Sequence, residues 1–177
     1  MFSRLSAQVL CIAVFLCVLI GGCAKKPESP PPSGAENLPL CKGIFDFTSD
    51  GLLTGDWIRG FSHSEPPGRW TDGNEASFTC SLPSGNDQQP SSVLIATAGF
   101  VYGGHTQRAI ISINGSKATE ERYDIGDHKI IELPLPKSPG GKLSITFSLP
   151  DAVSPQELGV NPDTRKIAIR VRSIEFK

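Results

Sequence analysis

Residues 57–73 read Trp-Ile-Arg-Gly-Phe-Ser-His-Ser-Glu-Pro-Pro-Gly-Arg-Trp-Thr-Asp-Gly and concentrate the side chains that could do chemistry. Trp57, Phe61 and Trp70 offer flat apolar faces on which the C–H side of a pyranose could stack. His63, Glu65 and Arg69 offer the charge and hydrogen bonds that would orient sugar hydroxyls. The same residues allow a plainer reading. Trp70 could be a core anchor and Glu65 could hold Arg69 or a distant arginine, because residue type alone does not decide burial. Catalysis finds less to work with. The three histidines, His63, His105 and His128, are scattered without metal-ligand spacing. No Gly-x-Ser-x-Gly elbow frames a serine, and Gly103-Gly104 and Gly140-Gly141 read as turns, not phosphate loops. No catalytic residue, metal or cofactor is assigned. Asn114-Gly115-Ser116 matches a glycosylation sequon, but a hairpin turn explains it better.

The cysteines carry a second kind of chemistry. Leu19-Ile20-Gly21-Gly22-Cys23 closes an apolar run over residues 9–20 that follows Arg4. That run would span only ~18 Å as a helix, short of the roughly 20 residues that a membrane span needs. It reads as a signal peptide, residues 1–22. Small residues directly before a cysteine are what lipoprotein processing requires. Diacylglycerol on the thiol, cleavage and further acylation with palmitate-type chains would leave Cys23 as a lipidated first residue tethered to a bilayer. Ile20 stands where such signals more often carry Leu. Ala24, with no Asp after the cysteine, implies the outer membrane of a bacterial envelope. Cys11 and Cys17 leave with the signal, so Cys41 and Cys80 remain as one pair in an oxidising compartment, where a disulfide is expected. Cys80 is in phase with Ala76, Phe78 and Leu82, and Cys41 with Phe45 and Phe47, so both should point inward.

These residues need a scaffold, and the composition supplies one. Arg4 is the only charge within residues 1–22, so sixteen basic and eighteen acidic side chains remain on the 155 residues that follow. That near balance excludes a nucleic-acid footprint and a polybasic membrane patch. Residues 23–39, with Lys25, Lys26, Pro27 and Pro30 to Pro32, read as a Pro-rich linker that buries little. Residues 40–177 suffice for one domain with a sizeable core. Their periodicity is two: Leu143, Ile145, Phe147 and Leu149 alternate with polar residues. Ala109, Ile111 and Ile113 run into Asn114-Gly115, with a return strand over 117–119. Further strands are expected at 43–47, 75–82, 92–98, 129–135 and 166–176. The 92–98 segment, apolar on both faces, suits a central strand. The last changes phase between Val171 and Ile174, which a bulge at Arg172-Ser173 would explain. The expected fold is all-β, a single jelly-roll-type sandwich.

Gly60-Phe61-Ser62-His63-Ser64-Glu65 and Gly68-Arg69-Trp70-Thr71-Asp72-Gly73 resemble the signature of an accessory β-sandwich domain. That domain is found at the C-terminus of membrane phosphoglycerol transferases and of some cell-envelope glycosyltransferases. The closing signature is similar too, in Ser154-Pro155, Leu158-Gly159, Asp163, Arg165 and Ile167, as is the hairpin at Ile113-Asn114-Gly115. The resemblance covers roughly residues 53–176. It implies a module like carbohydrate-binding modules, standing alone on its lipid anchor, with no catalytic residues to carry over. Glu65, Arg69, Trp70, Asp163 and Arg165 match signature positions, and the two signatures could meet as a Glu65–Arg165 pair. The expectation is a non-catalytic envelope module that binds an envelope saccharide or a glycan-modifying assembly, with the membrane as partner through Cys23 and no nucleic acid. Two alternatives stand beside it: a docking subunit of an envelope protein complex, and a hydrolase or transferase with an unrecognised site.

Overall fold

Alternation of apolar and polar residues becomes two facing sheets in the computed structural model, which describes residues 37–48, 55–138 and 140–177. The expected signal, the expected lipidation site at Cys23 and most of the expected linker lie outside the described residues. Ten strands follow in order: β1 (Gly43–Asp46), β2 (Ile58–Arg59), β3 (Arg69–Trp70), β4 (Glu75–Ser81), β5 (Ser92–Gly99), β6 (Gln107–Ile113), β7 (Ser116–Tyr123), β8 (His128–Pro134), β9 (Lys142–Ser148) and β10 (Ile169–Phe176). One sheet runs β1-β10-β5-β8 with β3 also beside β10, and the other runs β2-β4-β9-β6-β7. Every pairing between these strands is antiparallel. The pairs nest: β6 with β7, β5 with β8, β4 with β9 and β1 with β10. A long hairpin rolled over itself in this way is a jelly roll.

The inner faces close on Phe47, Phe78, Phe147, Ile95, Ile111 and Ile145, all fully buried. Cys41 and Cys80 form a disulfide in this core, tying the segment before β1 to β4 of the opposite sheet. β5 lies between β10 and β8, with Val93, Ile95 and Thr97 inward and Leu94, Ala96 and Ala98 on the outer face. The register of β10 against β5 shifts between Val171 and Ser173, leaving Arg172 as the extra residue of a bulge. Ile169 and Val171 point inward before it, and Ile174 and Phe176 after it.

Two features differ from the pattern read in the sequence. β7 continues past Thr119 to Tyr123, whose buried hydroxyl shares a 2.8 Å hydrogen bond with that of Thr97 on β5. Cross-sheet packing of that ring, not local alternation, sets the strand's length. β2 and β3 lie in a segment where no strand was expected; each is two residues long and exists because its backbone meets β4 or β10.

Candidate functional site

Close backbone approach fixes the chain between β2 and β4. A Cβ on Gly60 would lie 2.2 Å from the Glu75 carbonyl oxygen, and one on Gly68 would lie 2.4 Å from that of Val171. Both glycines also have positive φ, so no other residue fits without displacing a neighbouring strand. The Gly68 N–H donates to the Glu65 carbonyl at 2.8 Å, closing a tight turn through Pro66 and Pro67. Thr71 then stitches this strap to β10. Its N–H donates to the Ile169 carbonyl at 2.9 Å, its hydroxyl donates to the same oxygen at 3.1 Å, and the hydroxyl accepts from the Ile169 N–H at 3.2 Å.

Charge ties the strap to the segment before β10. Arg165 Nη2 donates to Asp163 Oδ2 at 2.6 Å, and Arg165 Nη1 lies 3.5 Å from Glu65 Oε1, an ion-pair distance longer than a good hydrogen bond. The bond from Arg165 holds the Asp163 carboxyl below the usual carboxylate range, outweighing the opposite push of burial. The same bond raises Arg165 above its ordinary value. His63 is exposed, with Nε2 3.8 Å from Glu65 Oε1. Arg69 is only 9% exposed; its Nε donates to Ser64 Oγ at 3.3 Å, and that hydroxyl donates to the Phe47 carbonyl. Glu65, Asp163 and Arg165 therefore tie the strap to the segment before β10, while Arg69 braces the strap from within.

The aromatic residues of the segment divide. Trp57 packs edge-on against Phe45 and Phe78, and Phe61 against Phe47 and Phe147. Both belong to the aromatic layer around the core, although Trp57 keeps an edge on a shallow groove of about 170 Å³ beside Arg59 and Lys142. Trp70 lies elsewhere. It stands opposite Arg170 in register, half-buried, with Phe100 against it edge-on and the Arg170 guanidinium 5.2 Å from its ring centre. The six residues 57, 61, 63, 65, 69 and 70 thus do not converge on one surface.

Beside Trp70 the outer face of the β10-β5-β8 sheet opens into a trough of about 480 Å³. Its floor is Ala96 and Ala98 of β5, whose small side chains fill little of the space above the sheet. Arg170 and Arg172 of β10 and Pro67 of the strap rise on one side, and His128 and Ile130 of β8 on the other. Register sets the order across the face as Trp70, Arg170, Ala98, His128. Lys129 also borders the trough, but its ammonium bonds Glu121 at 3.0 Å and lies over the Tyr123 ring. The histidines stay apart: His105 Nε2 bonds the Asp151 carbonyl at 2.9 Å, while His63 and His128 have the surroundings given above. Among the described residues no group of three or more His, Cys, Asp and Glu side chains could hold a metal ion.

Neither a protein-family model nor a curated protein matches the chain. Solved structures do. A carbohydrate-binding module, CBM36, in complex with calcium and xylotriose is 15% identical, with a TM-score of 0.43 over 76% of this chain and 98% of that one. The CBM36-1 domain of a multidomain xylanase from the hindgut metagenome of Trinervitermes trinervoides is 13% identical, with a TM-score of 0.43 over 76% and 94%. A Paenibacillus cycloisomaltooligosaccharide glucanotransferase complexed with cycloisomaltoheptaose is 13% identical, with a TM-score of 0.41 over 76% of this chain and 18% of that one. What is alike is the β-sandwich.

The trough residues Ala96, Ala98, His128, Arg170 and Arg172 are absent from the set suggested by the sequence. A signal for them existed. Arg170 and Arg172 alternate with Ile169 and Val171 on the last strand, and two alanines occupy the solvent phase of an otherwise apolar β5.

Proposed function

We propose that this chain is a non-catalytic module of the bacterial cell envelope, tethered by lipid on Cys23 in the outer membrane, that binds a saccharide. The observation that carries this reading is the trough beside Trp70. A floor of small side chains, an indole just beyond Arg170 on one side and convergent polar groups from two flanking strands make a surface that a linear oligosaccharide can lie along. The ligand-contacting set is Trp70, Arg170, Arg172 and His128, with Pro67 and Ile130 as rims. Trp57 and Phe61 serve the core, and Glu65 and Arg69 position the strap that carries Pro67 and Trp70.

Docking to an envelope protein is the second reading, favoured by Ile130, which is 73% exposed on the trough rim. A glycan array that includes envelope polysaccharides, probed with the full chain and with a folded Trp70→Ala variant, separates the two. Saccharide binding that the variant loses supports the first reading; silence toward every glycan supports the second. Metabolic labelling with palmitate, retained by the native chain and lost on Cys23→Ala, tests the anchor.

A further inference from the structure

Most arginines of the described sandwich have a visible occupation. Arg108 is bidentate to Asp151, Arg122 pairs with Glu120, Arg165 with Asp163, and Arg59 Nε donates to the Asp56 carbonyl. Arg69 is partnered as well. Arg170 and Arg172 stand out. Among the described residues neither guanidinium is held by an ion pair or a hydrogen bond. Both line the trough, and no carboxylate lines it with them.

Their placement is built into the fold. Two residues apart on one strand, they leave the same face about 7 Å from each other, close enough for both side chains to reach one bound group. The bulge at Arg172 permits this: it lets Ile174 and Phe176 return to the core while Arg170 and Arg172 both stay outside. Gly68 presses against the same point, its Cα facing the Val171 carbonyl and Arg172 Cα, so the strap buttresses the bulge. The Arg170 guanidinium sits 5.2 Å from the Trp70 ring centre, a cation–π contact that steadies it without using its N–H groups. Arg172 does feel the charge of Asp46, but that carboxylate already accepts from the Thr48 N–H and hydroxyl.

We propose that the trough takes an acidic saccharide, holding its oxyanion, a uronate carboxylate or a phosphate ester, between Arg170 and Arg172. The inference rests on the saccharide reading above and adds the charge of the ligand. A guanidinium fork matches the paired oxygens of a carboxylate or phosphate, and two unpaired forks beside a sugar-sized strip select for such a group over a hydroxyl.

The test uses the full chain in detergent on an array where each neutral oligosaccharide is printed beside its uronate and phosphate-ester counterparts. Titration calorimetry then follows on the strongest pair. Acidic members should bind about tenfold or more tightly than their neutral partners. Arg172→Gln and Arg170→Gln should each erase most of that lead, Arg172→Lys should keep part of it, and raising salt from about 0.05 to 0.5 M should shrink it. Circular dichroism confirms that the variants are folded. Whichever counterpart leads identifies the oxyanion. Equal binding of neutral and acidic members, or a lead that survives both Gln substitutions, overturns the inference and leaves the saccharide reading standing. No binding to any member overturns both.

Discussion

Cutting the crosslink between Cys41 and Cys80 should remove a large part of the domain's stability. The bridge spans a sequence separation of 39 and joins the segment before β1 to β4 across the core. In the chain-entropy model, closing a loop of that size withdraws about 13 cal/mol/K from the unfolded chain, or about 4 kcal/mol at 25 °C. Replacing both residues with alanine also empties a fully buried site, adding up to about 1 kcal/mol. A domain of this size is stable by about 5–15 kcal/mol, so the loss amounts to about a quarter or more. Urea unfolding followed by tryptophan emission reads it directly, because Trp57 sits among Phe45 and Phe78 and becomes solvated on unfolding. With a slope of about 2 kcal/mol/M, the midpoint of Cys41→Ala/Cys80→Ala should fall by about 2 M relative to the oxidised native chain. A loss below about 1 kcal/mol at unchanged slope would mean that the unfolded loop gains little freedom when the bridge is removed, against this expectation.

Three further outcomes follow from the geometry. Gly68→Ala would set a methyl against the Val171 carbonyl and should cost about 3 kcal/mol or more in a thermal melt, displacing the strap or the bulge. Burial, partly offset by the Thr97 hydrogen bond, pushes the Tyr123 hydroxyl up to about 12. A folded value above the unfolded one, about 10, contributes stability that is complete below pH 10 and is lost as pH rises through 12; Tyr123→Phe should flatten that decline. Asp163 is shifted the other way, its carboxyl depressed by Arg165. Its contribution is present above the unfolded value, about 3.9, and fades as pH falls through the lower folded one, so Asp163→Asn should weaken the acid dependence of the melting temperature.

The strands were legible because half-buried sheet writes period two into the sequence. Leu143, Ile145 and Phe147 could face only one way, and the phase change from Val171 to Ile174 announced the Arg172 bulge. Asn114-Gly115 marked the hairpin, and Cys41 and Cys80, both in phase with core residues, formed the bridge. β2 and β3 escaped because two-residue strands have no period; their pairing comes from β4 and β10, about 20 and 100 positions away. The same distance hid the proposed trough. Trp57 and Trp70 are equivalent as letters, yet one faces the aromatic core and the other the outer sheet, a distinction set by which strand each lies beside. Residue types alone placed sugar contacts within 57–73. The trough instead draws Arg170, Ala98 and His128 into one row from three strands, and only sheet register makes them neighbours.

Amide shift mapping tests whether a saccharide lies in that trough. The full chain, isotope-labelled in detergent and titrated with the strongest glycan from the array, should show its largest shifts at Ala96, Ala98, His128, Arg170 and Arg172 and at the Trp70 indole. Shifts centred on Trp57 and Lys142, or on residues 102–106, would place the ligand elsewhere and contradict the account.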